Sequence, residues 1–204
     1  MRNHTPLVYF LTDITMNTLV KIGIWIVAVA LILGAAGFAW SKYEDMRTQK
    51  AIESINATKI TMDDVMGKNL PPKPDQALSD STIAGIDANN NLVRDDVELS
   101  IFEQYPDSAR VRAAMLQYAQ ALQLELTQVF NSDVYIATII KEDNGSLCIV
   151  QNTKNAEAPK NIDKIFLNTD LRIKKWETNA EKYLKTYLVD TGTRCDIAAS
   201  LLPN

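Results

Sequence analysis

The chain has 204 residues, 47% of them hydrophobic, with 21 basic and 25 acidic side chains, a formal net charge of −4, two cysteines and one histidine. A mildly acidic chain with no basic stripe interleaved with aromatics repels phosphate backbones, which excludes a nucleic-acid partner. The one histidine, His4, precedes the most apolar stretch, so the rest of the chain has none from which to build a Ser-His-Asp triad, a Cys-His pair or a histidine zinc site. No catalytic residue is assigned, and a non-enzyme is expected.

Residues 1–17 are polar and mixed and are expected to be disordered. Residues 18–40 come next as a transmembrane helix. Ile22 to Trp40 contains no charged side chain; at 1.5 Å of rise per residue it makes a helix of roughly 29 Å, close to the thickness of a bilayer's hydrocarbon core. Lipid offers backbone amides no partners, so such a run enters it as a helix. Lys21 can snorkel to the headgroups at one end, and Trp40 and Tyr43 fit an aromatic belt at the other.

A start at Met16 would make the same stretch resemble a signal sequence, with Gly37 and Ala39 at a cleavage spacing and secretion after a cut near residue 39 as the alternative. The run exceeds the usual signal core of about 7–15 residues, which favours an uncleaved anchor. Counting Arg2 and Lys21 before the helix against Lys42, Arg47 and Lys50 after it favours a cytoplasmic body. The two cysteines, the signal-like start and an acidic remainder point the other way. Arg2 and Lys21 are the only basic residues before Ser41 and Asp13 the only acidic one, so the remainder carries 19 positive charges against 24 negative. The expectation is a bacterial inner-membrane, single-pass protein with its C-terminal domain in the periplasm.

Residues 41–78 read as a helical stalk and a Pro-rich spacer. Met46, Ile52, Ile55, Ile60, Met62 and Val65 make an irregular apolar stripe that Gly67 ends, and Pro71, Pro72 and Pro74 stiffen the spacer after it.

Residues 79–204 read as an extracytoplasmic α-helical domain, a small bundle, opened by the loop 87–98. Oxygen side chains stand at Asp87, Asn89, Asn91, Asp95 and Glu98, positions 1, 3, 5, 9 and 12 of a twelve-residue loop, and Val93 falls at position 7, where a backbone carbonyl suffices. Calcium takes six to eight hard oxygen ligands, and this alternation supplies them from one tight turn leading into a helix. The stretch resembles the EF-hand-like loops of extracellular bacterial proteins and the thrombospondin type 3 repeat. More narrowly, Gly85-Ile86-Asp87 through Asp95-Asp96-Val97-Glu98, preceded by Leu70-Pro71-Pro72, is similar to uncharacterised bacterial secreted or membrane proteins in which a GID–GVRDDVE signature opens a helical domain. That resemblance implies no activity. Position 6, normally glycine because the turn needs a positive φ, is Leu92, at a cost on the order of 1 kcal/mol. The competing reading is an Asn-rich turn with Asp95 and Asp96 favouring a helix N-terminus.

Beyond the loop a helix runs to about Tyr105, with Val97, Ile101 and Phe102 inward and Pro106 breaking it. Asp107 or Ser108 caps a second, whose Val111, Met115, Tyr118, Leu122, Leu126 and Val129 form one amphipathic stripe. Residues 134–150 are rich in β-formers, with Asn144-Gly145 able to turn a short hairpin; the resemblance favours helix with Cys148 in the core. Residues 152–160 read as a polar loop and 161–166 as a short helix. Thr169 or Asp170 caps a last helix with a stripe of Ile173, Trp176, Ala180, Tyr183, Leu184 and Tyr187, released at Gly192.

Cys148 and Cys195 are expected to form a disulfide in an oxidising compartment, with two buried thiols as the alternative. The functional expectation is a membrane-anchored binding or structural module with a weak calcium-stabilised loop, or else an accessory subunit of an envelope assembly. Its partner in either case is an unidentified membrane or envelope protein.

Overall fold

The structure, a computed structural model, describes residues 7–185 and 195–203. It divides into two compact units, Met1–Arg47 and Thr48–Asn204. Tyr187 and Gly192, expected at the end of the last helix, lie outside the described residues, as does His4.

Helix α1 runs Leu7–Ala57. Residues 7–17 are therefore helical, against the expected disorder. No glycine or proline separates Leu7 from Ile22, so a helix nucleated further along propagates backwards at little cost. Its segment Val20–Ala57 is long and apolar enough to cross a membrane, with a mean hydropathy of 2.4 over its most apolar window and none of that window buried.

Among its described residues the regular structure of the second unit is all helix. After α1 come α2 (Met62–Val65), α3 (Gln76–Asp80), α4 (Asp95–Gln104), α5 (Ala109–Gln128), α6 (Ser132–Thr153), α7 (Ala158–Phe166) and α8 (Asp170–Tyr183), with a 3₁₀ turn at Ala199–Leu201. Local chemistry sets the caps. Thr61 and Asp64 form a capping box, and Asp75, Ser108, Asn131 and Thr169 each accept a backbone N–H of the first turn. Ile55, Ile60 and Val65 are buried in the body's core, so part of the segment read as stalk belongs to the domain. Residues 134–150 form part of α6, not a hairpin. Gly145, the turn residue of that alternative, instead lets α6 pass close to α5: a Cβ there would lie 2.9 Å from Tyr118 Cα.

Helix α5 is the centre. Besides the stripe from Met115 to Leu126, it buries Ala113, Ala114, Leu116, Ala119, Ala121 and Leu124 on its other sides. It also buries Gln117, Gln120, Gln123 and Glu125, polar residues that give the helix the look of a surface element in sequence. Helix α8 reverses the expectation. Ile173 and Trp176 are 37% and 38% exposed and Leu184 58%, whereas Arg172 and Asn179 are fully buried. Of the expected stripe, Ala180 and Tyr183 pack on the core. The reason is Arg172: its guanidinium donates to the carbonyls of Ser79, Thr82 and Ile83 and to Asp80 Oδ1 and Asn168 Oδ1, and no aliphatic side chain could satisfy those acceptors.

Cys148 Sγ and Cys195 Sγ are bonded. The bridge ties the segment 195–202 to α6. There Ile60 N–H donates to Asp196 Oδ2 (3.2 Å), Asp196 N–H to Gln117 Oε1 (2.8 Å), and Leu202 is 5% exposed.

Candidate cation-binding loop

Three interlocking side-chain turns wind the segment 87–93. Asp87 Oδ1 accepts Asn91 N–H (3.2 Å) and its Oδ2 accepts Leu92 N–H (2.9 Å). Asn89 Oδ1 also accepts Asn91 N–H (3.4 Å), and Asn91 Oδ1 accepts Val93 N–H (2.9 Å). Leu92 stands at φ +61° and Asn90 at +58°. The backbone thus adopts the left-handed turn that glycine ordinarily supplies, with Leu92 in its place. Packing of the half-buried Leu92 side chain against the cluster of Ile55, Leu124 and Val134 offsets the strain.

The loop then closes on α4. Asp95 N–H donates to Ile86 O and Ala88 N–H to Asp95 Oδ1, both at 2.9 Å. Asn89 Nδ2 bridges outward to Asn69 O and inward to Glu98 Oε2, each at 3.0 Å. From beneath, Gln120 Nε2 donates to Asn91 O and Gln123 Nε2 to Ala84 O, each at 2.8 Å. Neither glutamine is assigned by the sequence reading. Their one signal there is their spacing: with Gln117 they make three glutamines at steps of three along α5.

The GID and RDD parts of the signature are joined by one side chain. Arg94, fully buried, pairs with Asp96 and donates to Phe166 O (3.0 Å), Ile165 O (3.1 Å) and Asn168 Oδ1 (3.3 Å), with its guanidinium 5.2 Å from the centre of the Phe166 ring. It passes directly over Gly85, where a Cβ would lie 2.2 Å from Arg94 Cδ. Gly85, at φ +69°, is thus required by its backbone and by its neighbour together.

Burial raises the carboxyl pKa values of Asp87 and Asp95 and pushes Glu98 up to about 7; the Asn89 and Asn91 amides oppose the last of these. Asp95 is 1% exposed, and its Oδ2 is buried with no hydrogen-bond partner. An anionic oxygen left without a donor is what a hard cation would use. Asp87, Asn89, Asn91 and Val93 lie in the loop and Asp95 and Glu98 in the first turn of α4, but Asn89 turns its amide nitrogen towards Glu98. Among the described residues no group of three or more His, Cys, Asp or Glu side chains is gathered closely enough to hold a metal ion. A cleft of ≈ 370 Å³ adjoins the loop, lined by Lys59, Asp64, Asn90, Leu92 and Gln120 among others.

No family model, no curated protein and no solved structure matches the chain.

Proposed function

We propose that the chain is a single-pass membrane protein whose helical body stands on the extracytoplasmic side and acts as a binding module, with the loop 87–98 stiffened by calcium. The observation that carries the metal reading is the orphaned, buried Asp95 Oδ2 inside a loop already wound to the left-handed turn at Leu92. Asp87, Asn89, Asn91, Val93, Asp95 and Glu98 are the ligands in this reading, with the Asn89 amide turned over to present its oxygen. Calcium would neutralise three carboxylates that burial disfavours as anions. The side of the membrane is supported by the disulfide, which belongs to an oxidising compartment. A role through a protein partner, a membrane or envelope protein, is supported by Leu171, Trp176 and Leu184, large apolar side chains exposed on or just beyond α8.

Calcium titration of the full chain in detergent, monitored by thermal unfolding, tests the loop. At a dissociation constant of about 10⁻⁴–10⁻³ M, 10 mM calcium should stabilise the fold by roughly 1.4–2.7 kcal/mol, and Asp95→Asn should abolish that gain. An unchanged melting temperature in the wild type removes the metal. Alkylation of Cys148 and Cys195 in intact cells tests the compartment separately: thiols that react without prior reduction place the body in a reducing space and sink the topology.

A further inference from the structure

The most unusual chemistry in the bundle lies away from the loop, where α5 and α6 meet. Glu125 is wholly buried, and both of its carboxyl oxygens lack a hydrogen-bond partner; Glu142 Oε1, across the interface on α6, is buried and lacks one too. Helices α5 and α6 pack on each other, and each of these two carboxyls acts on the other's affinity for a proton. As two carboxylates they would be acceptors facing acceptors, a repulsive arrangement that burial of these oxygens leaves poorly screened. With one proton between them the same contact becomes an O–H···O⁻ hydrogen bond, among the strongest a side chain makes.

The surrounding groups balance the pair only in part. From α8, Asn179 Nδ2 donates to the Glu125 main-chain oxygen (2.9 Å), and Lys175 Nζ donates to Asn179 Oδ1 (2.9 Å), so the cation is held one side chain away. From α7, Asp163 adds a further negative charge, although Tyr118 Oη on α5 donates to its Oδ1 (2.8 Å). On α6 itself, Asp143 is the next acid along. Burial first, and then the neighbouring carboxyl, raises the affinity of Glu142 for a proton; burial does the same for Glu125, opposed by the Glu142 and Asn179 side chains and, less, by Lys175. Glu142 also sits one turn from Gly145, where the backbones of α5 and α6 pass close to each other.

We infer that Glu125 and Glu142 hold one proton between them, so that the α5–α6 interface is a proton-binding site whose occupancy keeps the bundle closed. Neither residue belongs to the loop, and the inference stands whether or not calcium binds there. A group that holds its proton more tightly folded than unfolded stabilises the fold below the ordinary carboxyl range. That stability is lost as the pH rises through the folded-state value. The body therefore loosens at alkaline pH and tightens towards mildly acid pH.

The experiment is thermal unfolding of the full chain in detergent with EDTA, read by near-ultraviolet circular dichroism from pH 5 to pH 8, for the wild type and for E142Q. The glutamine amide is a permanent donor in place of the shared proton. E142Q should match the wild type at pH 5 and melt higher by about 3–6 °C at pH 8. A difference of the same size at every pH overturns the inference. Should E142Q fail to fold, infrared spectra of the chain labelled with ¹³C-glutamate in an E98Q background decide at neutral pH. A protonated glutamate carbonyl band supports the shared proton, and its absence overturns it.

Discussion

Arg94 and Gly85 show how two residues nine positions apart become one structural requirement. The Arg94 guanidinium is fully buried and holds the α7–α8 junction through Phe166 O, Ile165 O and Asn168, while its aliphatic stem fills the space a side chain at residue 85 would need. Lysine keeps the charge but presents one point donor instead of a planar fork, leaving carbonyls and Asp96 unsatisfied. Arg94→Lys should therefore cost roughly 3 kcal/mol, near the range for breaking a buried pair. Gly85→Ala combines a positive φ with a clash and should cost about 2–4 kcal/mol. Urea unfolding of each variant checks both. Leu92→Gly is different in kind: relief of backbone strain, on the order of 1 kcal/mol, opposes the loss of a half-buried leucine, and the net change should stay within about 1 kcal/mol. A large loss there would mean that packing, not the turn, sets the conformation of this residue.

At the scale of elements, the features legible in advance are those that local chemistry decides. Ser108 and Thr169 were legible as caps because a hydroxyl before a helix has one favourable use, and Pro106 as a break because it has no N–H to give. The loop was legible as a turn from its alternating Asp and Asn residues, down to the left-handed backbone at Leu92. Features that tertiary partners decide stay hidden. Helix α5 looks one-sided in sequence because Gln117, Gln120 and Gln123 count as polar, yet each is buried, and Gln120 and Gln123 donate to loop carbonyls. The α8 pattern turns Ile173 and Trp176 inward, but Arg172 alone answers five acceptors on neighbouring segments, and those acceptors lie outside any periodicity. Gly145 belongs to the same class. A helix-interior glycine normally loses about 1 kcal/mol against alanine, so Gly145→Ala would stabilise an isolated helix. Here the new Cβ would meet the Tyr118 backbone at 2.9 Å, which cannot swing aside. The overpacking, about 1–3 kcal/mol, should win. Unfolding of G145A should show a net loss, and a net gain would mean that α5 and α6 are free to separate.

At the scale of the molecule, the disulfide and the carboxyl-terminal strap divide one task. The bond between Cys148 and Cys195 spans 47 positions of sequence, and restricting a loop of that length in the unfolded chain is worth roughly 4 kcal/mol by the entropy model. The strap has contacts of its own, however. Asp196 bonds Ile60 N–H and Gln117, Arg110 Nε donates to Leu202 O at 3.4 Å, and Leu202 is buried in the main core. These contacts belong to the folded state and survive reduction, whereas the entropy term acts on the unfolded state and does not. Reduction should therefore lower stability without first releasing the strap. Thermal unfolding of the full chain in detergent with and without dithiothreitol should show a fall of about 8–16 °C, since roughly 4 kcal/mol in a body of this size shifts the midpoint by about 2–4 °C per kcal/mol. Limited proteolysis under reducing conditions well below that midpoint should leave residues 195–203 protected. Cleavage there at low temperature would show instead that the bond, and not the packing of Leu202 and Asp196, holds the strap against α5.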